Sequence, residues 1–246
     1  RKESSAASDV YKRQIYIYIY YSFPMPYFNN GTINILFIHI NKTGGSSVTE
    51  YLADKHNIEL NNASLYGTFG NYKHSEPTDE ELELRLSINS RLQHITYTKL
   101  CKYSNIFNIN YNDITIITVV RNPYDRIMSA LFYLDKINVD STPDNVFDIL
   151  NSFLLTEPQD NFNMPQYLFI TDKNGEIIPD LKILHTESLK NDMSELGYTD
   201  FDLHVNSNPH TVDYKLLLND NSIRLINDFY NIDFDLFKYN KLPVLN

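Results

Sequence analysis

INILFIHINKTGGSSVTEY, residues Ile33 to Tyr51, is the stretch around which this chain is organised. Ile33, Ile35, Leu36, Phe37, Ile38 and Ile40 form a short, almost unbroken apolar run rich in β-branched residues. Such a run suits a strand buried on both faces of a parallel sheet. Asn41-Lys42-Thr43-Gly44-Gly45-Ser46-Ser47 then reads as a turn, and Val48, Tyr51 and Leu52 follow at helical spacing. A strand, a Gly-rich turn and a helix N-terminus together make an anion site: free backbone N–H groups and the positive end of the helix dipole face the ligand, and Gly lets the backbone approach closely. Lys42 adds a point charge. The plainer reading of the same residues is a Gly-rich strand–helix turn with a solvated lysine.

The order of the turn residues argues against a Walker phosphate loop, G-x-x-x-x-G-K-[ST], in which Lys follows the last Gly. Here Lys42 precedes both glycines, and no Gly lies in Phe37–Asn41. A second unit of the same kind stands further on. Ile114 to Val120 (ITIITVV) is another buried-strand run, followed directly by Arg121-Asn122-Pro123-Tyr124-Asp125-Arg126. Pro123 suits a first helical turn, and Ile127, Ala130, Leu131 and Leu134 recur at helical spacing. Ser129 falls about two turns beyond Arg121. An Arg fork and a Ser hydroxyl aimed at one phosphate make chemical sense, since guanidinium matches phosphate bidentately. Taken singly, Arg121 also reads as a helix-start ion pair and Ser129 as an ordinary helix-surface residue.

HINKTGGSS resembles the phosphosulfate-binding loop of the sulfotransferases, above all the carbohydrate (Golgi-type) families with an H-x-P-K-T-G-G-T-S pattern. Asn41 stands where that pattern has Pro, and Ser46 where it has Thr. RNPYDRIMS is similar to the family's 3′-phosphate element, R-N-P-x-D-R-x-x-S, without a gap. The resemblance implies an α/β, P-loop-like three-layer fold with a central, mainly parallel sheet flanked by helices. It implies transfer of a sulfuryl group from 3′-phosphoadenosine 5′-phosphosulfate, as co-substrate, to an acceptor hydroxyl, expected on a glycan, with no metal. In that scheme Lys42 contacts the bridging oxygen and the 5′-phosphate. Backbone amides of Thr43, Gly44, Gly45, Ser46 and Ser47, with the Ser46 and Ser47 hydroxyls, cradle the 5′-phosphate, and Arg121 and Ser129 grip the 3′-phosphate.

For the catalytic base the resemblance points to a His between the two elements and just before a helix, a placement matched by His74; a structural role for His74 is as open. His39, on the strand entering the loop, is the other candidate, although a core-edge His orienting the loop is its simpler reading. Met164-Pro165-Gln166-Tyr167-Leu168, Leu181–Leu189 with Glu187, Leu203-His204-Val205-Asn206-Ser207 and the closing Tyr230–Phe237 follow the family's order. The resemblance thus runs from Ile33 to Tyr239. Two rivals use the same layout: a P-loop nucleotide kinase or NTPase, and a non-catalytic nucleotide-binding protein on the same scaffold.

Composition narrows the partners. With Lys+Arg 21 against Asp+Glu 31, the net charge is −10, which speaks against a nucleic-acid binder and gives no encouragement to a strongly polyanionic acceptor. The single cysteine, Cys101, permits no internal disulfide and is expected as a small buried residue. No His/Cys/carboxylate cluster shows metal-ligand spacing. Residues 1–30 are set apart as poorly ordered or non-native, because SSAASDVYKRQ reads as a translated adapter scar, and residues 31–246 as the sulfotransferase domain. IYIYIYY (Ile15–Tyr21) is far shorter than the roughly 20 residues of a membrane span. A soluble, cytoplasmic protein is the expectation, with the Golgi lumen requiring an anchor outside this sequence. Thr78 with Glu80 and Glu81 predicts a helix start. LQHITYTKL (Leu92–Leu100) predicts a strand beside Ile114–Val120, and Val146, Phe147, Leu150, Phe153 and Leu154 a core-facing helix. Asn57–Asn71 reads as a loop.

Overall fold

The computed structural model describes residues 27–58, 79–87, 90, 92–107, 109–156, 159–202 and 213–244. His74, the Leu203–Ser207 segment and most of the Asn57–Asn71 loop lie outside them. Four strands form one sheet in the order β1 (Tyr27–Asn29), β2 (Asn34–Ile38), β3 (Thr115–Val120), β4 (Lys182–His185). β1 runs antiparallel to β2, while β2–β3 and β3–β4 are parallel. The α/β architecture with a mainly parallel sheet is therefore the one expected. β1 lies before residue 31; its Tyr27 hydroxyl donates to Asn34 Oδ1 at 2.8 Å and fastens the hairpin to the sheet edge.

Alternation along the strands places the two helical layers. Ile35, Phe37, Ile117 and Val119 pack with Val48 and Leu52 of α1 (Gly45–Lys55), and with Met193 of a second helix, Leu189–Glu195. Leu36, Ile38, Ile116 and Val120 face the other way, onto α2 (Asp79–Ser87), α3 (Tyr97–Lys102) and α4 (Ser104–Phe107). A further cluster joins α5 (Pro123–Tyr133) and α6 (Pro143–Leu155) to the C-terminal helices through Leu131, Val146, Leu150, Ile226 and Phe234. α6 begins as its sequence suggests, with Pro143 in the first turn and Thr142 Oγ1 accepting from Asn145 N at 3.3 Å. Counting on in chain order, the Leu189–Glu195 helix is α7, followed by α8 (Asp220–Phe229) and α9 (Asn231–Leu236).

Two expectations are corrected. Leu92–Leu100 is no strand: it forms a single 3₁₀ turn, Leu92–His94, and the start of α3. Leu92, Ile95, Leu100, Tyr103 and Ile106 all bury into one cluster beneath the sheet, a spacing that fits helical turns, and β3 already has β2 and β4 on its two edges. Cys101 is exposed, because Leu100 beside it turns α3's apolar side inward. No described helix is long and apolar enough to cross a membrane.

Candidate functional site

The chain leaves β2 through His39, Ile40 and Asn41 and turns sharply at Lys42, which takes a left-handed φ of 64°. Gly44, at φ 87°, is the N-cap of α1 and supplies no side-chain acceptor to the first turn, so the amides of Gly45 and Ser46 stay available to a ligand, whereas Ser47 N already donates to Gly44 O at 3.1 Å. Thr43 is turned inward: its hydroxyl donates to Ile40 O at 2.7 Å. The Thr186 hydroxyl, just past β4, reaches Thr43 O at 2.7 Å and Val120 O at 3.0 Å, pinning the loop to the ends of the two neighbouring strands. Gly45 admits no side chain, since a Cβ there would lie 2.3 Å from the His39 ring.

A cleft of 860 Å³ opens at this C-terminal edge of the sheet. Lys42, Gly44, Gly45, Ser46 and Ser47 line it from the loop, and Arg121 and Ser129 from the β3–α5 unit. The structure thus brings together the expected residues of both units, apart from the inward-turned Thr43. His74 lies outside the described residues. Arg121 is fixed through its backbone: the fully buried Gln166 side chain accepts from Arg121 N and donates to Arg121 O, both at 2.9 Å. Its guanidinium donates to Lys42 O at 3.1 Å. Asn122 N donates to Glu187 Oε1 at 2.8 Å, and Tyr239 holds the other oxygen of that carboxylate at 2.8 Å.

Lys42 Nζ stands 4.1 Å from the centre of the Tyr133 ring. Burial, and then the Arg121 charge, push its ammonium down to about 8. Among the described residues no carboxylate comes within ion-pair distance of Lys42 or Arg121. These two adjacent cations, with the Arg121 charge acting on Lys42, make a positive site suited to phosphate or sulfate.

The far wall holds residues that the sequence reading missed. His94, 5% exposed, places Nδ1 3.0 Å from Asp160 Oδ1. Its ring meets His39 edge-on at 5.0 Å and Phe162 at 6.4 Å, and Phe162 tilts against Tyr133 at 5.5 Å. An imidazole whose Nδ1–H is committed to a carboxylate keeps Nε2 as a proton acceptor. His39 instead stacks on Phe37 at 5.3 Å. Burial and the nearby His94 hold it well below the usual imidazole range, so it stays neutral as a packing element under the loop. The helical period of residues 92–107 was the available signal for His94's true setting.

The Sulfotransferase family model matches residues 25–240, and the chain belongs to that family, with sulfuryl transfer as its general reaction. No curated protein and no solved structure matches it.

Proposed function

From sulfotransferase membership, we propose that this chain moves a sulfuryl group from 3′-phosphoadenosine 5′-phosphosulfate to a hydroxyl of a glycan acceptor. The observation that carries the reading is the pair Lys42 and Arg121, neighbouring cations on two strand–turn–helix units that share one cleft with the α1 N-terminus. Lys42 and the amides of residues 43–46 hold the 5′-phosphate and bridging oxygen. Arg121 and Ser129 hold the 3′-phosphate. Transfer forms an acceptor O–S bond as the bridging S–O bond breaks, and the negative charge left on the departing phosphate falls on Lys42 and the helix N-terminus.

The acceptor's proton passes to a base. Within the described cleft His94, oriented by Asp160, has the chemistry for this; the resemblance offers His74. Tyr133, 57% exposed and tilted on Phe162, gives an aromatic wall for the apolar face of a sugar ring. The test is calorimetric titration with 3′-phosphoadenosine 5′-phosphate, with ADP and Mg²⁺ in parallel. Preference for the 3′-phosphorylated ligand by tenfold or more is the expected result. Equal or tighter binding of ADP would overturn the assignment in favour of a nucleotide kinase.

A further inference from the structure

Asn41 departs from the family's loop pattern, and its side chain is 2% exposed, with all its polar atoms directed into the protein. Nδ2 donates to Asp160 O at 2.6 Å. Oδ1 accepts from Arg126 Nη2 at 2.7 Å, and the Asn41 carbonyl accepts from Arg126 Nε at 3.1 Å. Arg126, 1% exposed, also donates to Met164 O at 2.8 Å and reaches Asn161 O at 3.4 Å. Asp160 and Asn161 both sit at left-handed backbone angles, φ 50° and 59°. Two consecutive non-Gly residues in that region are uncommon even for Asp and Asn, and their surroundings hold them there. Asn41 and Arg126 supply that constraint from the loop side. On the other side of the turn, Asn161 Nδ2 donates to His94 O at 2.8 Å while Asp160 Oδ1 meets His94 Nδ1 at 3.0 Å.

We infer that Asn41 is a positioning residue, coupling the loop that carries Lys42 to the His94–Asp160 pair across the cleft. A Pro at this position would keep the main-chain carbonyl for Arg126 Nε but would have no donor for Asp160 O and no side-chain acceptor for Arg126 Nη2. The Asn amide spans both, so the lysine and the imidazole are set by one hydrogen-bonded unit. This rests on the assignment of the cleft as the transfer site, yet its test needs neither donor nor acceptor, so the two can fail separately.

The experiment is histidine ¹H–¹⁵N long-range correlation spectroscopy at pH 7.5 on labelled protein, with His94 assigned by His94→Gln. The Nδ1–H tautomer is expected in the wild type and is lost in Asp160→Asn. Asn41→Asp keeps an oxygen for Arg126 but removes the donor to Asp160 O. It is expected to lower the Nδ1–H preference of His94 by about tenfold, the least that losing a hydrogen bond to a charged group produces. Asn41→Ala, which loses both contacts, should do the same and serves if the Asp variant does not fold. An Asn41→Asp protein with the wild-type tautomer ratio would reduce Asn41 to a packing partner of Arg126 and overturn the proposal. A wild-type His94 protonated at Nε2 would overturn it equally.

Discussion

Raising the pH should weaken donor-site binding in a way that isolates Lys42. Its ammonium is held near 8 in the free protein, by burial first and by Arg121 second. An anionic ligand offsets both causes, because its charge pairs with the ammonium and neutralises Arg121, so binding favours the protonated form. At pH 7 about nine-tenths of free Lys42 is then charged, and at pH 9 about one-tenth, so affinity for 3′-phosphoadenosine 5′-phosphate should fall about tenfold over that interval by linkage. Binding at pH 9 should take up close to one proton, measured calorimetrically in buffers of different ionisation enthalpy. The sign for folding is opposite. The unfolded chain keeps this proton to about 10.5 and the folded chain only to about 8, so between those values the unfolded state binds more protons and the lysine's contribution to stability rises with pH. Weakened binding at pH 9 therefore does not come from unfolding driven by Lys42. Lys42→Arg, charged throughout, should flatten the profile. An affinity independent of pH from 7 to 9 in the wild type, or no proton uptake, would refute the placement of Lys42 against the ligand's phosphate.

Arg121→Ala should weaken 3′-phosphoadenosine 5′-phosphate binding about 10–100-fold, the loss of charge-assisted bonds to one phosphate, while ADP binding changes far less. Equal losses for both ligands would place Arg121 elsewhere. Gly45→Ala drives a Cβ to 2.3 Å from a His39 ring that cannot swing away, stacked as it is on Phe37. Overpacking of about 1–3 kcal/mol should lower Tm by about 2–12 °C, and adding His39→Ala should restore most of it; a Gly45→Ala melt like wild type would contradict the contact. With sulfated-product assays on a panel of neutral glycosides, His94→Ala should lower turnover about 10²–10⁴-fold. Retention of turnover there, with loss in His74→Ala, would move the base to His74.

Both strand–turn–helix units were legible because each carries its chemistry locally. An apolar run, a turn whose conformation only certain residues tolerate, and a helix start all lie within about twenty positions, as the Ile33–Tyr51 stretch illustrates. The Leu92–Leu100 error has a different origin. Ile95, Thr96, Tyr97 and Thr98 have the composition of a strand, whereas the spacing of Leu92, Ile95, Leu100, Tyr103 and Ile106 is helical, and burial follows the spacing. That error also hid His94: read as part of a strand beside β3, it had no reason to face the cleft. Its partner Asp160 lies 66 residues away, on a turn that no local pattern announces. Arg126 shows the same limit from the other side. In sequence it is one more cation in a phosphate-binding motif, yet the fold buries it against carbonyl oxygens and Asn41 and leaves Arg121 to face the cleft. A motif therefore names the set of residues that meet at a site, but burial decides which of two arginines five positions apart holds the scaffold and which meets the ligand.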